Sequence, residues 1–326
     1  MAAVQRLAPL LLTVVAGGLL SWQSEINGGL SDRTHSWLLA ALVSFSVGTA
    51  MLSVLVFARS RGRAGLHLVA TSLRARSLSW WVLAGGLLSA GYVVLQAGTV
   101  STLGVAVFSL AAICGLNVGS IAVDFWGMSH GGGVPLTPRR VIAVVISLVA
   151  ALLAVFPNLS HPSSSIVYFL LVVAAGIGAS IQFAMTARVG ETSGDSTVAA
   201  WVLFAIAAAF LLVLALAQGA FANGGIDHLL TAASSAPWLL IGGFLGATIV
   251  VINAFVVPRT GVLVFSLSLV AGQLLAAVLL DLASGSMNNV IFVVGGCALM
   301  LMATAVSVGG RGKSDQAPHI QEDLPR

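Results

Sequence analysis

One apolar stretch of the chain occurs twice. Residues 104–124 read GVAVFSLAAICGLNVGSIAVD, and residues 261–281 read GVLVFSLSLVAGQLLAAVLLD. An offset of 157 (261 minus 104) aligns the two copies, so that Phe108 corresponds to Phe265 and Asp124 to Asp281. Each copy has about the 20 apolar residues that a helix needs to cross a bilayer. The duplication therefore predicts that one half of the protein repeats the other.

The composition indicates a polytopic membrane protein. Hydrophobic residues make up 58% of the chain and charged residues only 7%, whereas a soluble domain carries about 25% charged residues. The net charge of +4 is spread over short segments between apolar runs, so no nucleic-acid partner is expected. The two cysteines, Cys114 and Cys297, lie inside apolar runs, where they are expected to pack rather than to bind a metal or form a disulfide.

Ten apolar segments have the length of a membrane span. A second offset, of 159, aligns Gly17 with Gly176 and Gln23 with Gln182. Because a cleaved leader would not match an internal span, the first segment is expected to be a retained helix. The ten segments are 6–28, 37–58, 80–99, 103–123, 140–156, 165–187, 198–218, 238–257, 260–280 and 289–308.

The division of the chain follows from these spans. Residues 1–157 and 158–308 each hold five of them, and we expect two five-helix membrane repeats. The polar tail, 309–326, lacks hydrophobic periodicity and is expected to be a disordered cytoplasmic segment.

The basic residues predict the orientation. With ten spans, both ends of the chain lie on one face, and of the 14 Lys and Arg residues all but Arg33 fall on that face. This is the positive-inside pattern, which places both termini in the cytoplasm. Because five is an odd number, the two halves insert with opposite orientation. Such inverted repeats recur in secondary transporters, whose substrate sites lie near the bilayer midplane.

Polar side chains recur within the predicted spans of both halves. If they face the axis between the halves, these amides and hydroxyls are candidate ligands for a small polar or amphipathic solute. The alternative is that they only hydrogen-bond neighbouring helices. The candidate substrate-binding residues are Gln23, Asn27, Tyr92, Gln96, Asn117, Gln182, Thr186, Asn253 and Gln273.

Three carboxylates are candidate coupling or gate residues. Glu25 lies within the first span near its external end, where it can reach water, and intramembrane carboxylates often mark ion or proton pathways. Asp124 and Asp281 each end a predicted helix, one at each face. The sequence contains no His/Cys/carboxylate cluster, phosphate-binding glycine loop or nucleophile–base pattern. We therefore expect no enzymatic activity, no metal and no cofactor.

Three segments resemble YdcZ-like proteins of the drug/metabolite transporter superfamily. They are GLLSWQSEINGGL at 18–30, AALVSFSVGT at 40–49 and VVPRTGVLVFSLSLVAGQLLAAVLLD at 256–281. The resemblance extends to about residue 308 and is that of two five-helix family units fused in tandem. It implies an all-α, DMT/EamA-like fold of ten transmembrane helices in two inverted five-helix repeats, in a multi-pass protein of the bacterial inner membrane.

The two halves depart from each other within the family pattern. The Gly-Gln-Leu of the second copy is replaced by Gly115, Leu116 and Asn117 in the first, and Thr186 stands where the first half has Asn27. We expect a secondary transporter that exports a small polar or amphipathic metabolite or drug by alternating access, with the lipid bilayer and that solute as partners. The alternative is a non-transporting membrane sensor or accessory subunit, which the scarcity of intramembrane charge favours.

Overall fold

The structure is a computed structural model, and it describes residues 2–103, 105–128, 136–155, 166–221, 225–283 and a few positions between 294 and 306. Every regular element in these ranges is helical. Two short 3-10 segments, Trp80–Ala84 and Pro237–Ile241, lead directly into α4 and α10. The α-helices are α1 (Ala2–Thr34), α2 (Trp37–Ala58), α3 (Ser60–Arg74), α4 (Gly85–Leu103), α5 (Val105–Phe125), α6 (Pro138–Val155), α7 (Ile166–Ser193), α8 (Ser196–Ala217), α9 (Gly225–Ser235), α10 (Gly242–Thr260) and α11 (Val262–Ala283).

The apolar helices make the chain an all-helical polytopic membrane protein. Nine predicted spans coincide with α1, α2, α4 to α8, α10 and α11, whereas the tenth, 289–308, and the tail, 309–326, lie largely or wholly outside the described residues. Within the described part, five helices are long and apolar enough to cross a membrane: Leu7–Thr34, Trp37–Ala58, Val167–Ser193, Ser196–Ala217 and Pro237–Thr260. Shorter apolar helices are Trp80–Gln96, Ala111–Phe125 and Val262–Ala276.

Two segments that the sequence predicted to be joints between spans contain helices. Residues 59–76 form α3, and residues 219–237 contain α9. Both are amphipathic: α3 buries Gly62, Gly65 and Val69 and leaves its arginines exposed. A search for long apolar runs misses such helices, because only one narrow face of each is apolar.

The duplication is visible in the local structure. Helices α2 and α8 each have 22 residues and each follows a residue with positive φ, His35 at 49° and Gly194 at 65°. Each also has a side-chain N-cap, because Ser36 accepts a hydrogen bond from the Leu39 N–H and Asp195 accepts one from the Thr197 N–H. Such a cap satisfies one of the unpaired N–H groups of a first turn. Equivalent sequence therefore produces equivalent helix starts.

The two halves interleave instead of packing as separate bundles. Helix α1 packs along α11 and α10, α7 packs along α5 and α4, and α2 packs against α8. Glycines permit two close crossings: a Cβ on Gly17 would lie 2.9 Å from the Gly272 Cα, and a Cβ on Gly115 would lie 3.0 Å from the Gly176 Cα. Small residues allow helix backbones in a membrane to approach in this way.

Contacts between side chains define two ends of the bundle. At one end, here named the arginine-rich end, Arg59 faces Asp195, Arg61 donates to the Gly194 carbonyl and Arg188 donates to the Gly127 carbonyl. Arg140 and Arg259 lie at the same end. At the opposite end, Arg33 donates to Ser235 Oγ at 3.1 Å and the rings of His35 and His228 lie 5.3 Å apart.

Candidate functional site

The amides of α1 lie against a glycine face of α10. A Cβ on Gly242 would be 2.5 Å from Asn27 Oδ1, and one on Gly246 would collide with the Gln23 side-chain amide. The two glycines are one turn apart, as are the two amides. The Asn27 amide therefore fills the space that a side chain at Gly242 would take, and the Gln23 amide fills the space at Gly246. Asn27 is buried, and its Oδ1 has no hydrogen-bond partner among the described residues. This α1 pair therefore presents an unused acceptor inside the bundle.

The equivalent pair on α7 is hydrogen-bonded within itself. Gln182 Nε2 donates to Thr186 Oγ1 at 2.8 Å, and the Thr186 hydroxyl donates to the Gln182 carbonyl, also at 2.8 Å. The pair packs against α4, because a Cβ on Gly85 would be 3.8 Å from Gln182 Cγ. The two pairs thus occupy equivalent positions on α1/α10 and α7/α4, but the α7 residues are hydrogen-bonded to each other.

Gln96 and its counterpart Asn253 differ in the same way. Gln96 Nε2 donates to Ser24 Oγ at 2.9 Å and so joins α4 to α1. Asn253 of α10 is fully buried (0% exposed), and neither its Nδ2 nor its Oδ1 has a partner within the described part of the chain. An unpaired amide in an apolar interior costs free energy, so Asn253 is a polar group that this conformation leaves unsatisfied.

Three further candidates make contacts between neighbouring helices. The Tyr92 ring lies 6.1 Å from the Phe108 ring, between α4 and α5. Asn117 Nδ2 donates to Ser147 Oγ at 2.6 Å and joins α5 to α6. The Gln273 carbonyl accepts a hydrogen bond from Ser21 Oγ at 3.4 Å, which ties α11 to α1. These contacts are of the helix-joining kind.

Asp124 links three helices at the arginine-rich end. Its Oδ1 accepts a hydrogen bond from the Val262 N–H at 2.8 Å, and its Oδ2 accepts one from the Leu263 N–H at 3.2 Å, so the carboxylate at the end of α5 caps α11. The same carboxylate pairs with Arg140, at the start of α6. Both side chains are buried, and removal of one partner from such a pair is strongly destabilising.

The other two carboxylates are placed differently. Glu25 is exposed on α1. The side chain of Asp281 lies outside what the structure describes. The partners of the polar candidates, namely Ser24, Ser147 and Arg140, were not identified from the sequence, because each pairing depends on how two helices far apart in sequence pack together.

A large polar basin lies at the arginine-rich end, between the α2–α3 junction, the α7–α8 turn and the end of α10. It has a volume of about 570 Å³. Arg59, Arg61 and Arg259 line it together with the carboxylates Glu191 and Asp195. Among the described residues, no group of three or more His, Cys, Asp or Glu side chains could hold a metal ion.

The chain is similar to known proteins at the level of family and fold. The family described as "Putative inner membrane exporter, YdcZ" matches it twice, over residues 8–153 and 167–308. No curated protein matches the chain. A solved structure titled "Crystal structure of protein" aligns with 92% of this chain and 96% of its own, at 17% identity and a TM-score of 0.59. At that identity, the alignment shows that the two proteins share a fold.

Proposed function

Because the chain belongs to the YdcZ family of drug/metabolite transporters, in tandem two-unit form, we propose that it is a secondary transporter. In this proposal, two inverted five-helix halves, ten spans in all, export a small polar or amphipathic solute across the bacterial inner membrane by alternating access. The family description supports an inner-membrane transporter in general.

Unequal packing of equivalent helices carries the proposal. Ala184 and Ala187 of α7 are fully buried, in one apolar cluster with Val256 and Val257 of α10. Their counterparts on α1, 159 residues earlier, are Glu25 and Gly28, and both are exposed. Apart from Gly28, its chain neighbours and the nearby backbone of α1, no heavy atom of the described residues lies within 4 Å of a Cβ built on Gly28.

Alternating access explains this difference. Inverted repeats present two equivalent gates, one on each side of the membrane, and each conformation closes one gate. Here the gate that α7 and α10 form, where Ala184 and Ala187 pack in one cluster with Val256 and Val257, is closed. The equivalent α1–α4 gate is open beyond the Gln96–Ser24 hydrogen bond, which still joins the two helices.

The distribution of arginines supports an outward-open state. The closed α7–α10 gate lies at the arginine-rich end, which the positive-inside rule assigns to the cytoplasm. The open α1–α4 gate then faces the outside. A reporter fused after Lys313 and one inserted near Gly65 should both report cytoplasm, and a reporter near Gly224 should report the outside. An external signal at Gly65 would contradict this orientation.

The unsatisfied amides support a cargo site between the gates. Asn27 Oδ1 and both amide atoms of Asn253 are buried without partners, and a solute hydroxyl, amide or carbonyl would supply what they lack. Gln23, Gln96, Gln182 and Thr186 lie on α1, α4 and α7, which together with α10 form the two gates. Cargo that takes up these groups is recognised by hydrogen bonding rather than by charge.

Transport by the purified protein tests the proposal. The full-length protein is reconstituted into liposomes loaded with a bacterial metabolite extract, and mass spectrometry follows the solutes that leave. At least one solute should leave faster than from protein-free liposomes. Binding of solutes without any loss from the liposomes would instead favour a membrane sensor or accessory subunit.

A further inference from the structure

We infer that the basin at the arginine-rich end binds an anionic oxygen group, a carboxylate or a phosphate. Its arginines come from parts of the chain about 200 residues apart, Arg59 and Arg61 from the α2–α3 junction and Arg259 from the end of α10. The positive-inside rule requires basic residues at this face. It does not require distant ones to converge on a single cavity of about 570 Å³.

Two of the three arginines are each held in place by a contact that uses only part of the guanidinium. Arg61 Nη2 donates to the Gly194 carbonyl at 2.8 Å. Arg259 donates to the Phe255 carbonyl and rests its guanidinium 3.8 Å from the centre of the Phe255 ring. A guanidinium has five N–H donors in a planar fork that matches carboxylate and phosphate oxygens. The basin therefore offers positioned donors for an oxyanion.

The acidic residues of the basin do not cancel this charge. Asp195 uses Oδ1 to cap α8 through the Thr197 N–H at 2.8 Å, where the positive end of the helix dipole offsets its charge. Its Oδ2 forms an ion pair with Arg59 Nη2 at 3.9 Å, which is too long for a hydrogen bond, so the half-exposed guanidinium of Arg59 keeps its donors for a ligand. Three arginines against Glu191 and Asp195 leave one net positive charge, which favours an anion.

The basin lies next to the closed gate between α7 and α10. Gly190 of α7 and Ala254 of α10 line it, and a Cβ on Gly190 would lie only 3.2 Å from the Ala254 carbonyl oxygen. An anion in the basin therefore lies at the mouth of the closed α7–α10 gate. This role in gating rests on the proposed transport function, whereas the binding itself does not. The anionic group can belong to a soluble organic anion or to a lipid headgroup, because both present the same oxygens at this face.

Binding measurements on the full-length protein distinguish these sources. The first arm titrates inorganic phosphate into detergent-purified protein by calorimetry. The second places the protein in nanodiscs of phosphatidylcholine with phosphatidylglycerol and counts retained phosphatidylglycerol by native mass spectrometry. The test variants are the double variant Arg59→Gln/Arg61→Gln and the single variant Arg259→Gln, which changes a different helix. The matched control is Arg63→Gln/Arg74→Gln, which removes two charges from α3 at the same end, outside the basin lining.

The expected results distinguish the basin from the rest of this face, and a soluble anion from a lipid headgroup. The double variant at the basin should weaken binding about tenfold or more, because charge-assisted hydrogen bonds are lost, while the control remains near the unmodified protein. Loss in the phosphate arm identifies a soluble anion, and loss confined to the phosphatidylglycerol arm identifies a lipid headgroup. Equal effects of basin and control variants, or no binding in either arm by the unmodified protein, would overturn the inference. Neither result depends on whether the liposome assay detects transport.

Discussion

Replacement of Asn253 by leucine should lock the α7–α10 gate. The Asn253 amide is fully buried on α10, and both of its polar atoms lack partners in this conformation. Each unsatisfied group costs about 1–3 kcal/mol, so leucine, which has a similar volume and no polar atoms, should stabilise this state by at least about 2 kcal/mol. That corresponds to roughly a thirtyfold shift of the gate equilibrium. We expect separation of α7 from α10 to expose the amide to water, so the opposite state gains no equivalent stabilisation.

Two measurements report this change. The Tm of the purified Asn253→Leu protein should rise, and its export rate in liposomes should fall. Spin labels at Thr192 of α7 and Phe255 of α10, in a background without Cys114 and Cys297, should show a distance distribution that narrows toward the closed gate. Both labels lie near the basin end of their helices, so they report on this gate directly.

A matched amide provides the control. Gln182→Leu removes a buried amide that is already hydrogen-bonded within α7, to Thr186 at 2.8 Å, so the substitution relieves no unpaired donor. Its Tm should therefore stay the same or fall slightly. A lower Tm for Asn253→Leu, or a label distance distribution that does not change, would refute the reasoning that an unpaired amide opposes closure.

Three further predictions follow from the packing. Asp124→Ala should lower the free energy of unfolding by about 3–5 kcal/mol, because Arg140 would stay buried without its partner, and Asp124→Ala/Arg140→Ala should recover part of that loss in a Tm measurement. Gly115→Leu should abolish folded, monodisperse protein in size-exclusion chromatography, since a Cβ there would lie 3.0 Å from the Gly176 Cα. Gly28→Leu should be tolerated, because no described atom of another helix lies within 4 Å of a Cβ at Gly28. Gln23→Leu should reduce export more than it reduces Tm, and equal losses of both would assign Gln23 to helix packing.

The sequence predicted those features that depend on residues close together in the chain. The offsets of 157 and 159 identified which residues are equivalent, and the structure has equivalent caps at Ser36 and Asp195 and equivalent 3-10 segments before α4 and α10. The positions of the apolar helices followed from hydropathy for the same reason. The short helices α3 and α9 did not, because their apolar faces are too narrow for a hydropathy window to detect.

Features that depend on packing between distant helices could not be predicted. The sequence identified Asp124 as a helix-ending carboxylate, but its role as the cap of α11 depends on contact with Val262, 138 residues away. Gln96 was identified as a polar candidate, but its partner Ser24 is 72 residues away. The unequal packing of the two halves is of the same kind, because an alignment of equivalent residues treats the halves as alike.

One sequence difference gives that inequality a physical basis. Thr186 replaces the asparagine that stands at position 27 of the first half, and its hydroxyl donates to the Gln182 carbonyl of its own helix at 2.8 Å. A threonine hydroxyl can return its hydrogen bond to the preceding turn in this way, so the α7 pair enters an apolar interface with its hydroxyl and one amide N–H hydrogen-bonded. Asn27 instead retains an acceptor without a partner. Because Asn27 is already buried in the conformation described here, a polar group of the cargo, and not opening of the gate, is what would satisfy its acceptor.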